Sequence, residues 1–137
     1  MVRLQAEPLD TAEVIRAVGA PGHGGLALFV GTTRAEDGVV ALHYEAHREM
    51  AETELAAIVE EATRRFGARC AIAHRLGRVA VGEPSVAVAA SAPHRPEAFA
   101  ACRHLIDEAK GRAPIWKRDE TGTGPSAWHD GIGRPAR

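Results

Sequence analysis

An amphipathic stretch from His47 to Phe66 constrains the fold of this chain more than any other feature. Its apolar residues recur three or four positions apart, which is the spacing of one face of an α-helix. The other positions carry glutamates and arginines, so the stretch predicts a helix that packs one side against a core. Gly67 follows at the position where helices commonly end. The apolar stripe consists of Ala51, Leu55, Ile58, Val59, Ala62 and Phe66.

Capping signals predict two further helices. Asp10 is typical of an N-cap and predicts a short helix over Thr11 to Val18. Pro96 suits the first position of a helix that continues to Lys110 and ends at Gly111. The buried stripe of this last helix is predicted to consist of Phe99, Cys102, Leu105, Ile106 and Ala109.

Short apolar runs bounded by glycines predict β-strands. Leu26 to Gly31 has strand length, and Val39 to Glu45 alternates between the two faces of a strand. Asp37-Gly38 between them is a turn signal, so these strands are predicted to be antiparallel neighbours. Valines alternate with small residues over Ser85 to Ser91, which is typical of a strand packed on both faces. Two further short strands are predicted over Cys70 to Arg75 and Arg78 to Val81, and Pro114 to Glu120 is predicted to be a short extended or turn segment.

These elements place the chain in the α+β class, with two longer helices packed on a largely antiparallel sheet. A length of 137 residues predicts a single domain over 1–137, with a loop-like tail over 121–137. A net charge of -1 and an aromatic content of 4% argue against binding to nucleic acid. No apolar run approaches the roughly 18 residues of a membrane span, and charged residues interrupt the N-terminus, so neither a span nor a signal peptide is expected. Cys70 and Cys102 form no CxxC motif and are predicted to be buried thiols in a reducing cytoplasm.

Cationic residues recur where the predicted strands and helices end, and functional sites usually lie at such places. Arg34 follows an apolar strand, and Lys117 lies seven residues after Lys110 at a helix end. His94 and Arg95 precede the same helix, whose first N–H groups favour an anion. Together these side chains predict a pocket for an anionic small molecule such as a phosphate ester.

Each of these cations also has a purely structural interpretation. Lys110 would stabilise the dipole at a helix C-terminus by about 0.3–1 kcal/mol. Arg34 would be a solvated loop residue, and Arg95 would be an exposed residue at a helix start. The residues alone leave these alternatives open.

Metal and cofactor sites are not predicted. His43 and His47 lie four residues apart, but His43 belongs to a predicted strand, so helical ligand geometry is not expected. The glycine-rich segment Gly22-His-Gly-Gly25 fits neither common nucleotide-binding pattern. Burial would make Cys102 a poor nucleophile, because desolvation disfavours the thiolate.

Short motifs spread over most of the chain occur in an order that is typical of one family. They are Phe29-Val-Gly-Thr-Thr-Arg34, Tyr44-Glu-Ala46, Met50-Ala51, His74-Arg-Leu-Gly77, Val81-Gly-Glu83, Ser91-Ala-Pro-His-Arg95, Glu97-Ala-Phe99 and Pro114-Ile-Trp-Lys117. From about Gly25 to Trp128, the chain resembles the large, catalytic subunit of molybdopterin synthase.

The resemblance implies a fold, an activity and an assembly. The implied fold is an α/β hammerhead-type α+β domain, and the implied activity converts cyclic pyranopterin monophosphate into molybdopterin by installing two sulfurs as a dithiolene. The sulfur arrives as a thiocarboxylate on the C-terminal glycine of a small ubiquitin-like subunit that ends in Gly-Gly. The implied assembly is a heterotetramer with a central homodimer of large subunits. It includes no nucleic acid, no membrane and no resident cofactor or metal.

The resemblance also implies roles for individual residues. Lys110 is implied to be the principal catalytic residue and Lys117 its partner. Two ammonium groups in one pocket lower each other's pKa, which suits general acid/base work. The residues implied to contact the substrate are Thr32, Thr33, Arg34, His94, Arg95, Lys110, Lys117, Arg118 and Asp119.

Two other functions fit the same cations. One is a non-catalytic module that binds an acidic or C-terminal peptide in the basic pocket. The other is an unrelated enzyme that acts on a phosphate ester. Adding a thiocarboxylated partner and the pyranopterin distinguishes the three functions. Dithiolene formation indicates sulfur transfer, partner binding without product indicates the module, and phosphate release without a partner indicates the unrelated enzyme.

Overall fold

The computed structural model describes residues 1–125 and 128–130. This part of the chain contains three helices and nine strands. The helices are α1 (Thr11–Val18), α2 (Arg48–Phe66) and α3 (Arg95–Arg112). The strands are β1 (Val2–Gln5), β2 (Gly25–Thr32), β3 (Val39–Ala46), β4 (Arg69–Arg75), β5 (Gly77–Ala80), β6 (Pro84–Ala92), β7 (Ile115–Thr121), β8 (Gly124–Pro125) and β9 (His129–Asp130).

Four strands form a sheet in the order β1-β4-β6-β2, which we call the central sheet. β1 runs parallel to β4, and the other pairs are antiparallel. Helix α1 covers one face of the sheet, while α2 and α3 cover the other. Because both faces are covered, β6 is buried without interruption from Ser85 to Ala92. The prediction of a strand packed on both faces is therefore confirmed.

The remaining strands form a second sheet in the order β5-β3-β7-β8, which we call the outer sheet; β9 also pairs with β7. All of its described pairs are antiparallel. Tyr44, Val79 and Ile115 join the main core from this sheet. The two sheets and three helices together confirm the α+β class.

The prediction that β2 and β3 are antiparallel neighbours is wrong. β2 pairs with β6 at an edge of the central sheet, whereas β3 lies between β5 and β7 in the outer sheet. Asp37 and Gly38 do form a turn, with φ of 53° and 77°, but the segment 33–38 crosses from one sheet to the other. Alternating polarity identifies a strand with one buried face, yet it does not select the strand that hydrogen-bonds to it.

The helix positions agree with the sequence, with one difference at the end of α3. Asp10 accepts hydrogen bonds from the backbone N–H groups of residues 12 and 13, and Gly67 ends α2 with φ of 62°. The predicted end of α3 at Gly111 is wrong, because the helix continues to Arg112. The Arg112 guanidinium reaches Glu54 and Glu61 of α2 at 2.7 Å, and these contacts hold the last turn in place.

The buried stripe of α3 also differs from the prediction at one position. Phe99 is 66% exposed, while Ala98 and Ala101 lie in the core. Small alanine side chains let α3 lie close to β6 and β2, and the phenylalanine ring is left at the helix margin. Cys102 is buried as predicted, as is Cys70, and burial raises the pKa of both thiols.

The ends of the chain contain more β-strand than the sequence predicted. β1 is a short edge strand beside β4, and the extended segment after Pro114 forms the full strand β7. Within the tail predicted to be loop-like, β8 and β9 pair with β7. Residues 126, 127 and 131–137 of that tail lie outside the described residues. None of the described helices is long and apolar enough to cross a bilayer.

Candidate functional site

A cleft of about 600 Å³ lies where the two sheets meet. The end of β2 and the start of β6 form one wall, β3 and β7 form the other, and the end of α3 closes the cleft. Five predicted site residues from three separate parts of the chain line it. They are Thr32, Arg34, Lys110, Lys117 and Asp119.

The wall formed by β2 depends on a glycine. A Cβ atom at Gly31 would lie 2.7 Å from Cγ1 of Val86 on the neighbouring strand, so β2 can lie this close to β6 only without a side chain. The strand register shifts directly after Gly31, where Thr32 pairs with Pro84. This irregularity turns the following loop, and Arg34 with it, over the cleft.

Lys110 lies in the last turn of α3 and is half-buried at the cleft. Burial lowers its pKa from the ordinary value of 10.5, and the nearby charge of Lys117 lowers it further. Lys117 lies on β7 directly opposite Tyr44 of β3, so both side chains project from the same face of the outer sheet. An ammonium group with a lowered pKa can donate and recover a proton nearer neutral pH.

These two residues are the only lysines of the chain, since its other 15 Lys and Arg residues are all arginines. The sequence analysis missed this signal. Arginine keeps its proton in proteins, whereas lysine can lose it when its surroundings change. The two lysines of the chain therefore lie in one cleft, while every other Lys or Arg position carries arginine.

Arg34 extends into the cleft from the exposed loop after β2. Its guanidinium forms an ion pair of 2.6 Å with Glu36, and Asp37 lines the same side of the cleft. An anionic ligand would compete with these carboxylates for Arg34. The loop can therefore exchange an internal ion pair for a contact with a ligand.

Two further residues, Tyr44 and Ser85, form the floor of the cleft, and sequence reasoning did not assign them to the site. The Ser85 hydroxyl donates to the carbonyl of Gly31 at 3.3 Å and interacts with the Tyr44 hydroxyl. Burial raises the pKa of Tyr44, so its hydroxyl stays protonated at neutral pH. Tyr44 belongs to one of the motifs quoted above, and that was the available signal.

Four predicted site residues do not line the cleft. His94 and Arg95 lie at the start of α3 in a separate open groove beside Gly24. Thr33 is 2% exposed, and its hydroxyl has no hydrogen-bond partner among the described residues. Arg118 projects from the opposite face of β7, where its guanidinium lies 4.4 Å from the centre of the Trp128 ring. Side chains alternate along a strand, so Lys117 and Asp119 reach the cleft while Arg118 faces away from it.

A family model and the sequences of known proteins both place the chain in the same family. The family model for the MoaE protein matches residues 4–112. A molybdopterin synthase catalytic subunit from Thermoplasma volcanium is 40% identical over 132 residues, which covers 93% of this chain and 96% of that protein. The family match includes Lys110 and ends before Lys117.

Solved structures show the same fold. Molybdopterin synthase from Staphylococcus aureus superposes with a TM-score of 0.88 at 30% identity, covering 93% of this chain and 95% of that one. A complex of subunits 1 and 2 of the molybdopterin-converting factor from Helicobacter pylori gives a TM-score of 0.74 at 25% identity, covering 90% and 87%.

Proposed function

The chain belongs to the MoaE protein family, the catalytic subunits of molybdopterin synthase, and from this premise we propose that its cleft transfers sulfur to a pterin phosphate. The chain is thus an enzyme subunit of molybdenum cofactor biosynthesis. The proposed reaction converts cyclic pyranopterin monophosphate into molybdopterin, with sulfur from the C-terminal thiocarboxylate of a small ubiquitin-like subunit. One observation carries the proposal: both lysines of the chain line one cleft together with Arg34.

The cations of the cleft suit a phosphate-bearing substrate. Arg34 can form paired hydrogen bonds to phosphate oxygens, and Lys117 offers a compact positive charge on the opposite wall. Thr32 adds a hydroxyl at the end of β2, and Asp119 offers a carboxylate acceptor for the N–H groups of a pterin ring. These residues bind and orient the substrate between the two sheets.

Lys110 is proposed as the general acid/base, with Lys117 as its partner. Attack by a thiocarboxylate and opening of a cyclic phosphate both develop negative charge on oxygen, and an adjacent ammonium group stabilises that charge. Because burial lowers the pKa of Lys110, this ammonium group can also give up its proton to the leaving oxygen. Lys117 lines the same cleft and is placed to contact the substrate from the outer sheet.

The small partner is proposed to bind with its C-terminal tail in this cleft. The solved relative from Helicobacter pylori is a complex of the two subunits of a molybdopterin-converting factor, which supports a two-subunit assembly for this chain. A tail that ends in Gly-Gly has no side chains to collide with the cleft walls. Its terminal carboxylate or thiocarboxylate is an anion that Lys110 and Arg34 can attract.

We also propose that a second copy of the chain completes the site by pairing along β2. The outer edge of β2 pairs with no other described strand, and the strand carries no charged residue. Long uncharged edge strands are normally covered in native proteins. The apolar side chains exposed beside this edge are Leu26, Leu28, Phe29 and Phe99.

Antiparallel pairing of two β2 strands would also explain the position of His94 and Arg95. The backbone of Arg95 lies against Gly25 at the beginning of β2, where a Cβ atom would be 3.0 Å from the Arg95 Cα atom. The cleft lies at the other end of the strand, beside Thr32. In an antiparallel pair the beginning of one strand meets the end of the other, so these cations would reach the cleft of the second copy.

The central experiment measures dithiolene formation from the pyranopterin and thiocarboxylated small subunit. We expect Lys110→Ala to lower kcat by about 10²–10⁴-fold, because a general acid/base contributes that much. Arg64→Ala removes a cation from an exposed ion pair on α2 and serves as the matched control. A Lys110→Ala enzyme within tenfold of the wild-type rate would refute the assignment.

Complementation tests the shared site. Neither Lys110→Ala nor His94→Ala is expected to support turnover alone. Mixed after unfolding and refolding together, they should regain about a quarter of wild-type activity, because half of the dimers would contain one intact site out of two. Two His94→Ala copies refolded together provide the control, and a mixture that stays inactive would contradict pairing along β2.

A further inference from the structure

A second, much smaller cavity shares two lining residues, Val86 and Lys110, with the cleft. Its volume is about 20 Å³, and its walls come from α2, α3, β4, β6 and β7. Aliphatic side chains such as Leu55, Ile72 and Ile106 form most of the lining. Among the lining residues, Lys110 and His74 alone carry polar side-chain atoms. A volume of this size accommodates one water molecule, which needs at least two polar partners.

The protonation of His74 follows from its surroundings. Its Nδ1 atom lies 2.8 Å from the carbonyl oxygen of Arg75, and a carbonyl can only accept, so Nδ1 carries a proton and donates it. His74 is 6% exposed, and burial lowers the pKa of its imidazole to about 4. The ring is therefore neutral near pH 7, and Nε2 keeps a free lone pair.

The orientation of this ring is fixed by a neighbour that also belongs to the cleft. Tyr44 packs edge-on against His74, with ring centres 4.8 Å apart and an angle of 72° between the planes. The hydrogen bond to Arg75 and this aromatic contact restrict both rotations of the imidazole. An acceptor on a fixed ring can define the position of a flexible lysine side chain.

We propose that His74 is a positioning residue for Lys110, acting through one water molecule in the small cavity. The Lys110 ammonium donates a hydrogen bond to the water, and the water donates one to Nε2 of His74. This arrangement holds one N–H of the ammonium group in the small cavity and leaves the other two to face the substrate in the cleft. The inference rests on the proposed role of Lys110, and it assigns a function to a motif residue that the site itself does not contain.

The proposal predicts a definite electrostatic effect. A hydrogen-bond acceptor behind the ammonium favours its charged form, and therefore opposes the effect of burial and of Lys117 on the pKa of Lys110. Losing the acceptor should lower that pKa further. The other charged and titratable groups that line the cleft with Lys110 come from β3, β7 and the loop after β2; they are Tyr44, Lys117, Asp119, Arg34, Glu36 and Asp37.

The test is a direct titration of the two lysines. Protein labelled with ¹³C-lysine gives signals from only residues 110 and 117, and a Lys117→Arg variant assigns them. In His74→Leu, the pKa of Lys110 should fall by about 1–2 units, because a hydrogen bond to a charged group is worth about 1.5–3 kcal/mol. His74→Gln places an amide oxygen near the position of Nε2 and should restore most of the shift. An unchanged pKa of Lys110 in a folded His74→Leu protein would overturn the proposal.

A second measurement uses the wild-type side chain, so it does not depend on the folding of a His74 variant. Long-range ¹H–¹⁵N spectra should show His74 protonated on Nδ1, with Nε2 accepting a hydrogen bond. Lys110→Met should shift the Nε2 signal of His74, while Lys117→Met should leave it in place. A His74 protonated on Nε2 would contradict the arrangement. Neither measurement requires turnover. They therefore test the position of His74 independently of the Lys110→Ala kinetics, which test the role of Lys110 in sulfur transfer.

Discussion

The central sheet and the outer sheet place their charged groups very differently. In the central sheet, helices cover both faces, and β6 contains only small and aliphatic residues from Ser85 to Ala92. In the outer sheet, one face joins the core, while the other carries an ionic cluster in which Glu120 contacts His43 at 2.6 Å and Arg78 at 3.1 Å. The central sheet thus supplies rigidity, and the outer sheet supplies charge.

The cleft uses both properties because it lies between the sheets. Ser85 and Val86 on β6 provide a fixed wall, and Lys117 on β7 provides a cation opposite it. Functional groups held by a packed framework keep their geometry better than groups on loops. Arg34 is the exception, since it lies on an exposed loop and can follow the substrate. The cleft therefore combines a rigid wall from the central sheet with charged side chains from the outer sheet and the loop after β2.

The largest expected effect on stability comes from the core beside the central sheet. Leu105 is completely buried between α3 and the sheet, so Leu105→Ala should lower the free energy of unfolding by about 2–5 kcal/mol. Met50→Ala, at a residue that is 57% exposed, should change it by about 0.5 kcal/mol or less. Urea denaturation measures both. Equal losses of unfolding free energy in the two variants would contradict the distinction between the buried core and the exposed surface.

The second effect distinguishes the sheets by their response to acid. His74 lies in the central sheet with its pKa lowered from 6.5 to about 4. Below pH 6.5 the imidazole is protonated in the unfolded chain but stays neutral in the folded chain down to about pH 4. The free energy of unfolding should therefore fall between pH 6.5 and 4 by about 3 kcal/mol and then level off. His74→Gln should lack this contribution. If the free energy of unfolding of wild type and of His74→Gln shows the same pH dependence in that window, the interpretation of His74 as a buried neutral imidazole is wrong.

The smallest effect belongs to the ionic cluster of the outer sheet. Arg78 and His43 lower the pKa of Glu120 from 4.5 to about 2. A carboxylate with a lowered pKa stabilises the fold above its unfolded pKa, and that stabilisation is lost as the pH falls from 4.5 to 2. The stability difference between wild type and Glu120→Gln should therefore shrink as the pH falls through that window. Thermal unfolding at several pH values checks this, with Glu60→Gln on the α2 surface as the control.

Local patterns predicted the elements well because local interactions determine them. The stripe over residues 47–66, the cap at Asp10 and the glycine after Phe66 all depend on contacts within a few residues of the chain. The pairing of β2 depends instead on which distant strand offers a matching edge, and the prediction there was wrong. Phe99 shows the same limit: its helical spacing fits the stripe, but the packing of α3 on β6 leaves it at the margin.

The candidate site divides in the same way. Residue types indicated a basic pocket for a phosphate ester, and the family resemblance supplied its chemistry. The fold then brought Lys110, Lys117, Arg34 and Asp119 together in one cleft and left His94 and Arg95 at the far end of β2. Strand alternation, which is visible in the sequence once β7 is recognised as a strand, separates Lys117 from Arg118. The floor of Tyr44 and Ser85 became apparent only from contacts between the sheets.

Local sequence patterns were enough to predict the helices, most of the strands and the α+β class, and the two lysines are visible in the sequence directly. The folded structure was needed to show that β2 and β3 belong to different sheets, that a cleft opens between them, and that His74 and Lys110 line one small cavity. The difference arises because some interactions join neighbouring residues and others join residues far apart in the sequence. Helical periodicity and capping act over a few residues, whereas burial of an imidazole and the shifted pKa of a lysine arise from side chains that are distant in sequence and meet only when the chain is packed.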